Sequence, residues 1–180
     1  GIVSVLDFAV EQNAYLMALE YVHGYHVGRW LAYLRGRGRR FDPALAIYLV
    51  AQVLDALDYA HRRRDARGRL LGIVHRDVSP SNIVVDVEGR VRLLDFGVAR
   101  IAGEEATTGH RGGDVRVKGK FPYLAPELLE GEPPSVASDV YGCGVVLHEL
   151  LRGHNEFRGA DPRQTLRRVL MHELSPVAEI

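Results

Sequence analysis

Cysteine is nearly absent from this chain of 180 residues. Cys143 stands alone, which excludes an intramolecular disulfide and any metal site built on several thiolates. An excess of one charge is missing too. Lys plus Arg number 23 and Asp plus Glu number 23, so the bulk electrostatic case for a nucleic-acid or membrane-surface protein falls away. No uninterrupted apolar run approaches a membrane span, and no signal-peptide pattern is legible at the start. These absences leave the expectation of a soluble, cytoplasmic domain in a reducing compartment, without nucleic acid as a partner and without membrane contact in this segment. What is present is ordinary globular usage, 47% hydrophobic and 26% charged, in a length that suits one domain with a real core. The chain opens on Gly1-Ile2-Val3 without Met, inside a strand-like run, and closes on Val177-Ala178-Glu179-Ile180. The expectation is a fragment, with the cytoplasmic part of a larger, membrane-anchored protein as one reading, because a domain starting in mid-strand leaves an unpaired edge.

Two short apolar stretches, Ile2 to Phe8 and Ala14 to Val22, flank the polar Glu11-Gln12-Asn13 and predict a β-hairpin. His26 to Leu34 is weakly helical and runs into the arginine-rich residues 35–40. Asp42-Pro43 then reads as an N-cap followed by a first-turn proline. From Ala44 to His61, Leu45, Tyr48, Val53, Leu57 and Ala60 are among the apolar residues at helical spacings, predicting a long buried helix. A second hairpin is legible in Ile83-Val84-Val85 and Val91-Arg92-Leu93-Leu94 around Glu88-Gly89. Residues 101 to 120 are polar and Gly-rich, a long loop of the kind that carries function or is disordered. Helices are expected at Ser138 to Leu151 and Pro162 to Glu173.

The second hairpin gathers chemistry. A turn centred between Glu88 and Gly89 would set Asn82 opposite Asp95 at the end of the ladder, where paired Cα atoms lie about 4.5–5.5 Å apart. A carboxylate and an amide oxygen converging there suit Mg²⁺, which takes one or two carboxylates plus phosphate oxygens. Asp77, five residues before Asn82 in a loop containing Pro80, can sit beside them. Two carboxylates and an amide, with one carboxylate free to orient a hydroxyl, suit phosphoryl transfer.

The residues around these three carry a resemblance. His75-Arg76-Asp77-Val78-Ser79-Pro80-Ser81-Asn82 resembles the catalytic loop of eukaryotic-type protein kinases, Asp95-Phe96-Gly97 their metal-binding triplet, and Ala125-Pro126-Glu127 the end of their activation segment. Ser138-Asp139-Val140-Tyr141-Gly142-Cys143-Gly144 looks like the central helix of the larger lobe, and Arg152 to Phe157 like the segment after it. The wording is most similar to bacterial kinases that phosphorylate Ser or Thr. The resemblance implies an α+β, protein-kinase-like fold: a two-strand part of the small lobe over 1–22, ending in the hinge, and a mainly helical large lobe over 23–180. It implies ATP and Mg²⁺ as cofactors and a protein substrate. Asp77 would be the catalytic base, Asn82 and Asp95 the metal ligands, and Arg76 the link to a phosphorylated activation loop. His75 and Phe96 would stack, and Asp139 would hold the loop backbone. Glu20 and Val22 would bond adenine through main-chain groups, with Leu19 guarding the back of the pocket and Val84 forming its floor.

Two departures from that family pattern stand out. Ser79 occupies the position where Ser/Thr kinases carry a phosphate-contacting Lys, and Ser81 the alternative Arg position of tyrosine kinases. A hydroxyl does not replace a cation at a phosphate whose charge grows in the transition state. Lys120, in Gly119-Lys120-Phe121-Pro122-Tyr123, stands where the family has Thr, and the expectation is a swap in which its ammonium serves the site. The bland alternative is a solvated loop lysine in a slow or inactive protein. The second departure is that nothing resembles the Gly-rich phosphate loop, the strand lysine, its helical Glu partner, or the Arg that pairs with Glu127, so this segment alone is expected to be a poor catalyst.

Thr107 and Thr108 are candidate phosphorylation sites. The Arg runs at 35–40 and 62–69 are expected to solvate helix ends. His148-Glu149 and His172-Glu173 lack the second His of a zinc helix, and Cys143 in an apolar helix is expected to be inert packing. Competing with the kinase reading are a pseudokinase that binds or scaffolds, favoured by Ser79, and a small-molecule phosphotransferase, disfavoured by Ala125-Pro126-Glu127.

Overall fold

In the computed structural model, residues 1–11, 14–96 and 120–177 are described, and Thr107, Thr108 and Gly97 lie outside them. Strands β1 (Val5–Glu11) and β2 (Ala14–Leu19) form an antiparallel ribbon in which Phe8 faces Met17 and Glu11 faces Ala14. The ribbon begins later than the apolar run suggests. Residues 1–3 leave it and lie along the hairpin strand β5 (Val91–Leu93), with Ile2 bridging Leu93 and the Val3 N–H donating to the Leu93 carbonyl at 3.0 Å. An open strand edge offers unpaired backbone groups, and the first residues satisfy them. Just past Leu19 the Glu20 N–H donates to the Ser4 carbonyl and the Glu20 carboxylate accepts from the Ser4 N–H.

β3 (Gly24–His26) and β4 (Ile83–Asp86) join β5 in an antiparallel sheet of order β3-β4-β5. Helix α1 (Val27–Arg35) follows β3 directly, with the His26 ring accepting from the Arg29 N–H as its cap. Helix α2 (Pro43–His61) starts where Asp42 accepts from the Leu45 N–H with Pro43 in the first turn, a cap that contributes about 1 kcal/mol. By length and composition alone α2 could cross a bilayer. Here Ala46, Leu49, Val53, Leu57 and Ala60 are buried in the core instead.

After a short helix α3 (Pro126–Leu129), helix α4 (Val136–Arg152) is fixed at its start by a reciprocal Ser135–Ser138 capping box and stopped by Gly153 at φ 81°, a left-handed conformation that glycine adopts without a Cβ penalty. α4 packs on α2, with Cys143, Val146 and Leu150 entering the same core as Leu49, Val53 and Ile83. Helix α5 (Pro162–Leu170) ends three residues before its apolar pattern because His172 adopts φ 50°. The result is an α+β fold in which a small sheet and two long helices enclose the loop carrying residues 75–82.

Candidate active site

The 75–82 loop is held from below by α4. Both carboxylate oxygens of Asp139, itself 1% exposed, accept backbone N–H groups, from His75 at 2.8 Å and from Arg76 at 2.9 Å. The His61 ring at the end of α2 bonds the same carboxylate at 2.8 Å. This anchoring carries a local strain. Arg76 sits at φ 69°, a region that bulky residues avoid, and the two N–H bonds to one buried carboxylate hold the turn in place. Nothing in the sequence pointed to His61, which is an unremarkable helix-terminal histidine until its neighbour in space is known. Gly142 was also missed as a site residue. A Cβ there would lie 3.1 Å from the Val78 Cβ, so glycine lets α4 approach the loop closely.

His75 is fully buried and its tautomer follows from its partners. Its Nδ1 accepts the Asp77 N–H at 3.2 Å, so Nε2 carries the proton and donates to the Leu94 carbonyl at 2.8 Å. Burial depresses its pKa below the ordinary imidazole value and keeps the ring neutral, outweighing the Leu94 bond and the nearby carboxylates. Phe96 packs on it at 4.7 Å between ring centroids.

Asp77, Asn82 and Lys120 come together. The Asn82 amide donates to both the carbonyl and the carboxylate Oδ2 of Asp77, each at 2.9 Å. The Lys120 ammonium forms an ion pair with the same Asp77 oxygen and reaches the Asn82 Oδ1 at 3.5 Å. Ser79 is buried, its hydroxyl 3.0 Å from that of Ser81. The cation beside Asp77 therefore comes from residue 120.

Asp95 is placed differently from the sequence expectation. The ladder pairs Ile83 with Leu93 and Val85 with Val91, which centres the turn on Glu88. The residue facing Asn82 is Leu94, whose N–H donates to the Asn82 carbonyl at 2.8 Å. The reason is a three-residue turn. Asp86 closes it by accepting the Glu88 and Arg90 N–H groups on its carboxylate, and the added residue shifts the register by one. Asp95 lies beyond the ladder, exposed and at φ 51°. Among the described residues, no group of three His, Cys, Asp or Glu side chains gathers as a metal cage. A hard cation brought with phosphate oxygens needs less: the Asn82 Oδ1, whose amide nitrogen is already committed to Asp77, and the exposed Asp95 carboxylate fit it.

Toward the ribbon, Leu19 and Glu20 are half-buried, and Glu20 lies 3.8 Å from the Arg92 guanidinium. Val22 makes no backbone hydrogen bond among the described residues. Val84, 7% exposed, sits mid-sheet between His26 and Arg92. Cys143 is buried in α4 and its thiol is pushed up to about 12, first by desolvation.

Serine/threonine-protein kinase PkaB of Streptomyces coelicolor is 35% identical over 99% of this chain and 41% of its own length. Tyrosine-protein kinase MasK of Myxococcus xanthus is 33% identical over 100% of the chain and 27% of its own length, and serine/threonine-protein kinase PrkC of Bacillus subtilis is 34% identical over 88% and 22%. The chain thus spans less than half the length of these relatives. Residues 1–179 match the family model described as a protein kinase domain, and the chain belongs to the protein kinase family.

Proposed function

We propose that this chain is part of a protein kinase that transfers the γ-phosphoryl group of ATP to Ser or Thr hydroxyls of proteins. The observation that carries this reading is the Asp77 carboxylate, oriented by the Asn82 amide in a loop pinned by Asp139. Asp77 accepts the proton of the attacking hydroxyl while the new O–P bond forms and the bond to the departing ADP oxygen breaks. Lys120 supplies the positive charge that the hydroxyl of Ser79 lacks, moving from Asp77 to the transferred phosphate as its charge grows. Asn82 and Asp95 would hold Mg²⁺, which offsets phosphate charge when bound. The backbone of Val22, without a hydrogen bond among the described residues, and the carbonyl of Glu20 suit the adenine edge, between Leu19 and Val84. On this reading residues 1–22 are the small-lobe side of the hinge and 23–180 the large-lobe side, working in the cytoplasm where ATP is available. The names of the Streptomyces and Bacillus relatives support Ser or Thr as acceptor, whereas the Myxococcus relative is named a tyrosine kinase.

The test is incubation of the complete natural protein with Mg-ATP and casein, followed by identification of the phosphorylated amino acid. Phosphoserine or phosphothreonine is expected, with Asp77→Asn slowing transfer by about 10²-fold or more. Equal rates for the two proteins, or phosphotyrosine alone, would overturn the reading.

A further inference from the structure

On the other side of α1 from the 75–82 loop, the helix, residues 39–42 and the first turn of α2 enclose a cleft of about 610 Å³. That volume lies within the range of ligand cavities, about 300–1,000 Å³. Its floor is aromatic: Trp30 and Phe41 stack at 6.2 Å with 18° between their planes, and Phe41 is buried. Tyr25 and Tyr33 form walls that stay 52% and 59% exposed. Apolar area of this kind, left open beside a packed helix pair, gains by covering.

The rim is cationic. Arg29 lies over the Tyr25 ring at 4.7 Å and Arg37 over Tyr33 at 3.8 Å, so both guanidiniums are held against the walls. Arg39 and Arg40 line the same opening. Elsewhere Arg62, Arg69, Arg90 and Arg152 each reach a carboxylate. Among the described residues these four rim arginines have none. The carboxylate that lines the cleft, Asp42, is spent on the Leu45 N–H as the α2 cap.

We propose that this cleft docks an acidic segment of a partner protein, which inserts one aliphatic or aromatic side chain over Trp30 and sets flanking Asp or Glu carboxylates against the rim arginines. Charge complementarity selects the acidic partner, because guanidinium forks match carboxylates. The closed aromatic floor selects a single apolar anchor. An extended nucleic-acid strand would need a basic groove tracking several phosphates, whereas this cation cluster surrounds one opening. The site is separate from Asp77, and its occupancy does not depend on phosphoryl transfer.

Trp30 is the single tryptophan of the chain, so its emission reports directly on the cleft. Titration with the peptide Glu-Asp-Leu-Phe-Glu-Asp, without nucleotide, is expected to give a saturable blue shift that weakens as salt rises. The exposed pair Arg39→Glu and Arg40→Glu should weaken binding about tenfold or more while leaving the circular dichroism spectrum unchanged. Three outcomes would overturn the proposal: no emission change, equal binding of a peptide with Lys in place of every Glu and Asp, or tighter binding of oligo-dT. The same titration on the complete natural protein must also respond, since silence there would mean that another segment already covers the cleft.

Discussion

Positions 79 and 120 decide where the cation of the site originates. A buried hydroxyl at 79 contributes no charge, and the Lys120 ammonium sits on Asp77 from 43 residues downstream. Lys120→Ala should therefore lower the turnover number about 10²-fold while KM for ATP changes little, read from steady-state phosphotransfer. The double variant Ser79→Lys with Lys120→Thr, which returns the cation to the loop, is expected to recover most of that rate. No recovery, or an undiminished Lys120→Ala rate, would contradict the swap. His75 makes a second prediction at this scale. Its depressed folded pKa means that below the ordinary value of 6.5 the unfolded chain takes up a proton that the folded chain refuses. Stability then falls as pH drops below 6.5. His75→Phe, which keeps a ring against Phe96 but cannot titrate, should show a shallower decline in urea midpoint over that window. Both residues were legible in the sequence as members of an ordered motif. The tautomer of His75 was not, because it depends on which backbone groups meet the ring.

Among the elements, α4 contributes most to the site without touching a substrate. Its Asp139 accepts from His75, Arg76 and His61. Asp139→Asn would turn an amide N–H toward donors that need an acceptor. We expect a loss of about 1–3 kcal/mol, measured as a lower urea midpoint together with reduced activity. The long helices were readable from their 3.6-residue apolar spacing and their caps, and α2 and α4 begin within two residues of expectation. The β4–β5 register was not readable to one residue. Asp86 can close a turn of two or three residues, and only the carboxylate bonds to Glu88 and Arg90 select the longer one. The shift put Leu94 in place of Asp95 opposite Asn82 yet left Asp77 and Asn82 in contact, because that contact is made within one loop.

At the scale of the molecule, the β3-β4-β5 sheet and helices α2 and α4 share one core, while the β1–β2 ribbon is linked to the sheet through residues 1–3 and the Glu20–Arg92 pair. Every residue of β1 is exposed, with Val5 at 55%, Leu6 at 69% and Val10 at 60%. Among the described residues, β1 and β2 pair only with each other. Exposed apolar side chains along a strand favour self-association. Copies of this segment should therefore zip together ribbon to ribbon as concentration rises, which light scattering would record as growing particle mass. Leu6→Lys, which plants a charge on that surface, is expected to delay the onset without altering the folded core.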